Sequence, residues 1–233
     1  MPESRSHHLR CRLNHPVVDC DGHLVEVVPH YLEVLAGVAG PELAEAFGAG
    51  LRGGPAWLGG DGLEAQVRLD ERRRKGGWWA MPTKNTLDCA TPLLPRLLHS
   101  RMDQLGLDFS ILYPGLGLIL PSQPEGEIRR ATVRALNIYL EEAYRDYADR
   151  MTPAAVIPMH TPEEAIAELD FAIGELGLKT ISMPPGVWRP IPAVHAVAPE
   201  AFPDAGWLDC YGLDSAHTTT TRSGGVARSW GWP

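Results

Sequence analysis

Cysteine is scarce and scattered in this chain. Cys11, Cys20, Cys89 and Cys210 are its only four, and no two of them form a C-x-x-C pair, so neither a zinc knuckle nor a disulfide framework is indicated. Reduced thiols of a cytosolic protein remain. Positive charge is also in short supply: 21 Lys and Arg face 29 Asp and Glu, for a formal net charge of -8. The one basic run, Arg72 to Lys75, is too short for a phosphate-binding surface and reads as a solvated face. Long apolar runs are missing as well. The opening residues, MPESRSHHLRCRLN, hold no stretch of signal-peptide length, and nothing approaches the about 20 apolar residues that a membrane-spanning helix needs. The expectation is a cytoplasmic protein with neither nucleic acid nor membrane among its partners.

What is present is a chain of 233 residues whose apolar share, 44%, is ordinary for a soluble protein with a buried core. From residue 100 onward two kinds of segment alternate. DFSILYP (108–114) is a short apolar run ending at proline. The segment 125–150 then sets Ile128, Val133, Leu136, Leu140, Tyr144 and Tyr147 at helical spacing. PAAVIPMH (153–160) reads as the next strand. The helix after it has Thr161 as N-cap, Pro162 in its first turn, Glu163 and Glu164 favouring the dipole, and Gly177 as its end. LKTISMPP (178–185) supplies a further strand, and PVVDCD, near the start, supplies the first. Residues 91–106 read as a crossover helix with Leu97, Leu98, Met102 and Leu105 on its buried face, and Asn85 and Asp88 fit a helix entry before it. Strands joined through helices predict a parallel sheet and an α/β fold. Between the first two strands lies an insertion, residues 37–90, whose Gly-rich part (48–62) reads as mobile.

The chemistry concentrates in VVDCDGHLVE, Val17 to Glu26. Side chains alternate along a strand, so Asp19, Asp21 and His23 share one side if extension continues through Gly22. A carboxylate and an imidazole two residues apart can both reach one divalent cation, since each is an ordinary ligand of Zn²⁺ or Mn²⁺. Gly22 lets the backbone bend or pass close to a neighbour. Glu26 reads either as a group orienting the histidine or touching substrate, or as a helix-start acid. The pair sits at the C-terminal end of the first strand, where α/β folds place their chemistry.

With residues 75–118 and 137–184, this motif resembles the amidohydrolase-related family, metal-dependent (β/α)₈ barrels of the aminocarboxymuconate-semialdehyde decarboxylase type. The likeness runs from about residue 16 to about residue 217. It implies a divalent metal, Zn or Mn, with Asp21 and His23 standing where the family has its first two ligands. An acid in the first of these positions looks like the decarboxylase-type variant. It also implies hydrolysis or nonoxidative decarboxylation of a small carboxylate or cyclic substrate. The family's remaining ligands, including a late-strand aspartate, come from later strands. After residue 185 about 48 residues remain, too few for four more β/α units of a barrel that takes about 250. The expected fold is therefore an incomplete (β/α)₈ barrel of about four units, with a leader (1–15), a barrel portion (16–217) and an irregular tail (218–233).

The tail mixes four threonines with Gly, Arg and Trp and has no hydrophobic period. It reads either as a disordered tail or as non-native sequence. One back-translation of the residues after His217, read two bases later, gives a phrase resembling the family's continuation, which points to a frameshift that the nucleotide sequence would reveal. Such a half-barrel would expose sheet edges and apolar faces, making it unstable or dependent on association, with a homo-oligomer as one outcome. The reading of function thus has two branches: a metal-dependent enzyme acting on a small molecule, as a truncated and inactive copy, or a non-catalytic fragment that binds a partner. His160, after the third strand, either touches substrate or an anion, or is a solvent-facing loop residue. Trp78 and Trp79 form an aromatic pocket wall or plug the barrel mouth. His195 and His217 read as surface groups, and Tyr113 and Pro114 as rim residues.

Overall fold

The structure, a computed structural model, describes residues 4–53, 65–71, 83–198, 200–201 and 205–210. Trp78 and Trp79, the basic run, His217 and the tail 218–233 lie outside the described residues. In chain order the elements are α1 (Arg5–Arg10), β1 (Val18–Leu24), α2 (Val28–Ala39), α3 (Pro41–Gly53), α4 (Ala65–Asp70), α5 (Thr86–Ala90) and α6 (Pro95–Leu105). There follow β2 (Phe109–Pro114), α7 (Gly126–Tyr144), β3 (Met151–Val156), α8 (Pro162–Leu169), β4 (Thr180–Ser182), β5 (Gly186–Pro190), α9 (Pro192–Val197) and β6 (Gly206–Cys210).

Strands β1 to β4 form one parallel sheet in the order of the chain. This is the α/β arrangement the alternation predicts. Strand β2 shows why one face is a core and the other is not: Ser110, Leu112 and Pro114 are buried, while Phe109, Ile111 and Tyr113 between them are half-buried. Leu112 packs into the apolar layer formed with α2, α6 and α7, where Leu24, Tyr31, Leu35, Met102, Leu136 and Leu140 are fully covered. A second cluster sets Ala155, Ile157 and Met159 against Ala165, Leu169 and Ala172 of the helix that follows. The alternate residues of β2, Phe109, Ile111 and Tyr113, face the other way, toward the hollow side of the sheet.

The helix signals act where the sequence puts them. Thr161 accepts the Glu164 amide at 3.2 Å, Asn85 accepts the Asp88 amide at 2.9 Å, and Gly177, with φ 72°, lies just past the π-helical stretch Asp170–Glu175 that continues α8. Both later strands are shorter than the apolar runs that announce them. Strand β3 begins at Met151, and its ladder closes when the Ile157 amide reaches the Ser182 carbonyl at 3.0 Å, because Pro158 has no amide to continue it. Pro184 and Pro185 stop β4 in the same way.

Three features go beyond the sequence reading. The leader packs on the barrel portion: Arg10 pairs with Asp108, and His7 Nδ1 lies 3.2 Å from the Asp103 carbonyl, pinning α1 to the end of α6. Part of the insertion is helix, with α3 packed on α2, which in turn packs on α7. The Pro-rich stretch after β4 holds an antiparallel hairpin, β5 with β6, and His195 is half-buried there with Nε2 3.0 Å from the Ala205 carbonyl. On α6, Leu105 is 39% exposed, and the buried arginine Arg101 takes a place that the apolar pattern did not assign. Its guanidinium donates to Asp88 at 2.8 Å, to Thr91 at 2.6 Å and to Gln104 at 3.1 Å.

Besides its apolar packing, helix α7 is hydrogen-bonded to β3 through the side-chain amide of Asn137. Asn137 is fully buried, donates to the Val156 carbonyl at 2.9 Å and accepts the Val156 amide at 2.8 Å, so it stands in for a neighbouring strand. The same Nδ2 donates to Glu168 at 2.7 Å, and Arg134 donates to that carboxylate's other oxygen at 2.8 Å. Burial raises the Glu168 pKa, and these two donors oppose it. Asn137→Ala would strand two backbone groups and weaken the hold on a carboxylate, each buried unsatisfied group costing about 1 to 3 kcal/mol. Urea denaturation of this variant is expected to show a loss of about 2 to 4 kcal/mol with an unchanged m-value.

Candidate metal centre

The site is built from the entry of β1. The Asp108 carboxylate accepts the Val17 amide at 2.6 Å while paired with Arg10, which fixes where the strand starts and holds the Asp108 pKa below its usual value. Val18 then pairs with Phe109 and Asp19 with Ser110, but the next matched pair is Gly22 with Leu112, followed by His23 with Tyr113. Strand β1 has one residue more than β2 over this interval, a β-bulge. Uninterrupted extension is therefore not what occurs. Asp19 turns to the helix side, where the Ser110 hydroxyl donates to it at 3.3 Å and the Asp21 amide donates at 3.0 Å. His23 emerges on the hollow side beside Tyr113, with ring centroids 6.2 Å apart.

Gly22 makes the bulge feasible through close approach. A Cβ at this position would lie 2.5 Å from Ser110 Oγ, 2.7 Å from the Ile111 carbonyl oxygen and 2.9 Å from Leu112 Cδ2. Gly22→Ala must push β1 off β2, and thermal or urea unfolding should report a loss of about 1 to 3 kcal/mol.

Asp21 and His23 come together. Oδ1 of Asp21 lies 3.7 Å from Nε2 of His23, the carboxylate side chain being 94% exposed and the imidazole 34%. Two ligands of a tetrahedral cation with bonds of about 2.0 to 2.1 Å sit about 3.4 Å apart, so one oxygen and one nitrogen at this separation suit a shared ion. Both are ordinary donors for Zn²⁺ or Mn²⁺. Among the described residues, no group of three or more His, Cys, Asp or Glu converges in a metal-holding arrangement.

Glu26 is 3% exposed, and its Oε1 accepts the Leu116 amide at 2.9 Å. It thereby fastens the turn after β2 to the end of β1. Its charge also adds to the burial that drives the Tyr139 hydroxyl up to about 12, against the effect of the Val27 amide donating to that oxygen at 3.0 Å.

His160 lies on the rim after β3, but it is not the solvent-facing group that its loop position suggests. The ring is half-buried, and its Nδ1 is covered without a hydrogen-bond partner. Its carbonyl accepts from Arg189 of β5 at 2.6 Å. Around it stand the buried pair Arg129–Glu164, at 2.7 Å, and Arg189–Asp209, at 3.3 Å. Burial, Arg129 and Arg189 drive the imidazole pKa down to about 4, only partly offset by Glu164. Sequence reasoning missed these charged neighbours because Arg129 and Glu164 are 35 residues apart and the hairpin carrying Arg189 and Asp209 was not foreseen. The unfolded chain protonates this group near its ordinary pKa of about 6.5, so between about 6.5 and 4 the unfolded state binds the extra proton. Stability should fall as pH drops through that window. Tm measured across it, with His160→Gln as the reference showing a shallower fall, checks the sign, and the His160 ring should titrate near 4 by NMR.

No family model matches the chain, and no curated protein matches it. Solved structures do. A 2,6-dihydroxybenzoate decarboxylase in complex with 2,6-dihydroxybenzoate is similar at 16% identity and TM-score 0.49, over 94% of this chain and 49% of that one. The 5-carboxyvanillate decarboxylase of Novosphingobium aromaticivorans, solved with manganese and 4-hydroxy-3-methoxy-5-nitrobenzoic acid, is 13% identical with TM-score 0.49, over 94% and 49%. A dihydroxybenzoic acid decarboxylase from Polaromonas sp. JS666, with manganese and 2-nitroresorcinol bound, is 15% identical with TM-score 0.48, over 94% and 48%. The chain spans about half the length of these structures.

Proposed function

We propose that the chain is a metal-binding α/β half-barrel of amidohydrolase type, whose chemistry is hydrolysis or nonoxidative decarboxylation of a small carboxylate or cyclic substrate. The observation that carries this reading is the Asp21–His23 pair, 3.7 Å apart at the C-terminal end of β1, where barrels of parallel strands hold their catalytic groups. A divalent cation held there, Zn²⁺ or Mn²⁺, supplies Lewis-acid polarisation of a substrate carbonyl or carboxylate. The residues of the chain do the rest. Asp21 and His23 hold the ion, the bulge and Gly22 aim them, and Glu26 keeps the turn beyond β2 closed against the same rim. His160, neutral at physiological pH, presents an uncharged imidazole among fixed charges at the far side of the rim. Hydrolysis and decarboxylation both fit this apparatus, and the fold does not choose between them.

A chain that only docks on a partner is the competing reading, and metal content separates the two. Purified protein should carry Zn²⁺ or Mn²⁺ by elemental analysis, and Asp21→Ala and His23→Ala should each lose it while keeping the far-UV circular dichroism of the parent. A preparation that stays empty in the presence of either ion, with the parent spectrum intact, sinks the enzymatic reading.

A further inference from the structure

We infer that two copies of this chain close on one another about a two-fold axis along the strands, so that Asp21 and His23 of both copies surround one divalent cation. This rests on the metal reading above and supplies what a two-donor site needs, because catalytic and structural zinc sites take three or four protein ligands.

The first support is topological. Among the described residues the parallel sheet has four strands, with β1 and β4 as its two edges, and eight strands close a barrel. A two-fold axis along the strand direction sets β4 of one copy parallel to β1 of the other, twice, and leaves no edge. A two-fold axis across the strands would oppose their directions and give like edges instead. Charge favours the pairing of unlike edges: β1 carries Asp19 and the exposed Asp21, whereas the exposed Lys179 stands immediately before β4.

The second support is the hollow face. Val18 on it is 48% exposed, and Phe109, Ile111, Tyr113, Thr152 and Thr180 are all half-buried, while Ser110, Leu112 and Met151 on the helix side are 2%, 1% and 0% exposed. Parallel sheets are ordinarily covered on both faces. An eight-stranded barrel is just wide enough for side chains from opposed strands to fill it, and the two-fold axis puts β1 of one copy across from β1 of the other.

Area decides how the association is controlled. Four strands about 4.8 Å apart and about 5 residues long offer roughly 350 Å² of projected face per copy. A standard interface buries about 800 Å² on each partner. The hollow face alone therefore falls short, the two edges have to supply the rest, and closing it brings two Asp21 carboxylates together. The cation neutralises that repulsion, so dimerisation and metal binding are one coupled event.

Sedimentation of the full chain after chelation, and again with Mn²⁺ alone, tests this, with bound metal counted on the same samples. A monomer that becomes a dimer holding one Mn²⁺ per two chains is the expected result. Asp21→Ala should abolish the shift, and Val18→Lys, a change at an exposed hollow-face position distant from the donors, should abolish it too, while Val18→Leu keeps it. Circular dichroism confirms that each variant folds. A monomer that binds one Mn²⁺ per chain overturns the two-fold site but leaves the metal reading standing. A dimer indifferent to Mn²⁺ and to Asp21→Ala overturns the inference by placing the contact elsewhere. A chain that binds no Mn²⁺ in any state removes both.

Discussion

Everything chemical in this molecule depends on how closely β1 can lie against β2 at Gly22. The two strands touch there without room for a methyl group, and that contact absorbs the extra residue of the bulge between Asp19 and Gly22. Had the strand run on regularly, Asp19 would face the same hollow as His23, and the acid meeting the imidazole would be embedded in a row of three. The bulge instead assigns each acid a separate job. Asp19 takes the Ser110 hydroxyl and the Asp21 amide, and so caps the kink from the helix side. Asp21 is left reaching into solvent beside His23.

The rim around that pair is held by polar contacts from beneath, from the helix layer. Glu26 reaches the Leu116 amide across the first two strands, and Asn137 serves Val156 on the third. These are buried, mutually satisfied groups, the kind that fixes a backbone rather than merely attracting it. The hairpin is held differently, by Arg189 on the His160 carbonyl and by the Arg189–Asp209 pair.

Much of the fold was legible in the chain because its signals are local. Thr161, Pro162 and Gly177 announce the limits of α8 and its π-helical continuation within a few residues of where those limits lie, and the alternation in DFSILYP matches a one-sided strand. The pairing of Asp21 with His23 was legible for the same reason. The displacement of Asp19 was not, since a bulge is a property of two strands and β2 lies about 90 residues further on, beyond any periodicity. His160 illustrates a second limit: its low pKa comes from burial and from Arg129 and Arg189, none of them near it in sequence. The hairpin was hidden because Pro184, Pro185 and Pro190 look like loop punctuation, and in fact they bound strands rather than forbid them.

Arg101 has a role ahead of the second strand. Its guanidinium ties Asp88 and Thr91, just ahead of the crossover helix, to the body of that helix. A pull on the chain at Asn85 therefore loads these two hydrogen bonds before it loads β2, so the start of the crossover helix acts as a strain relief for the strand that lies against Gly22 and His23.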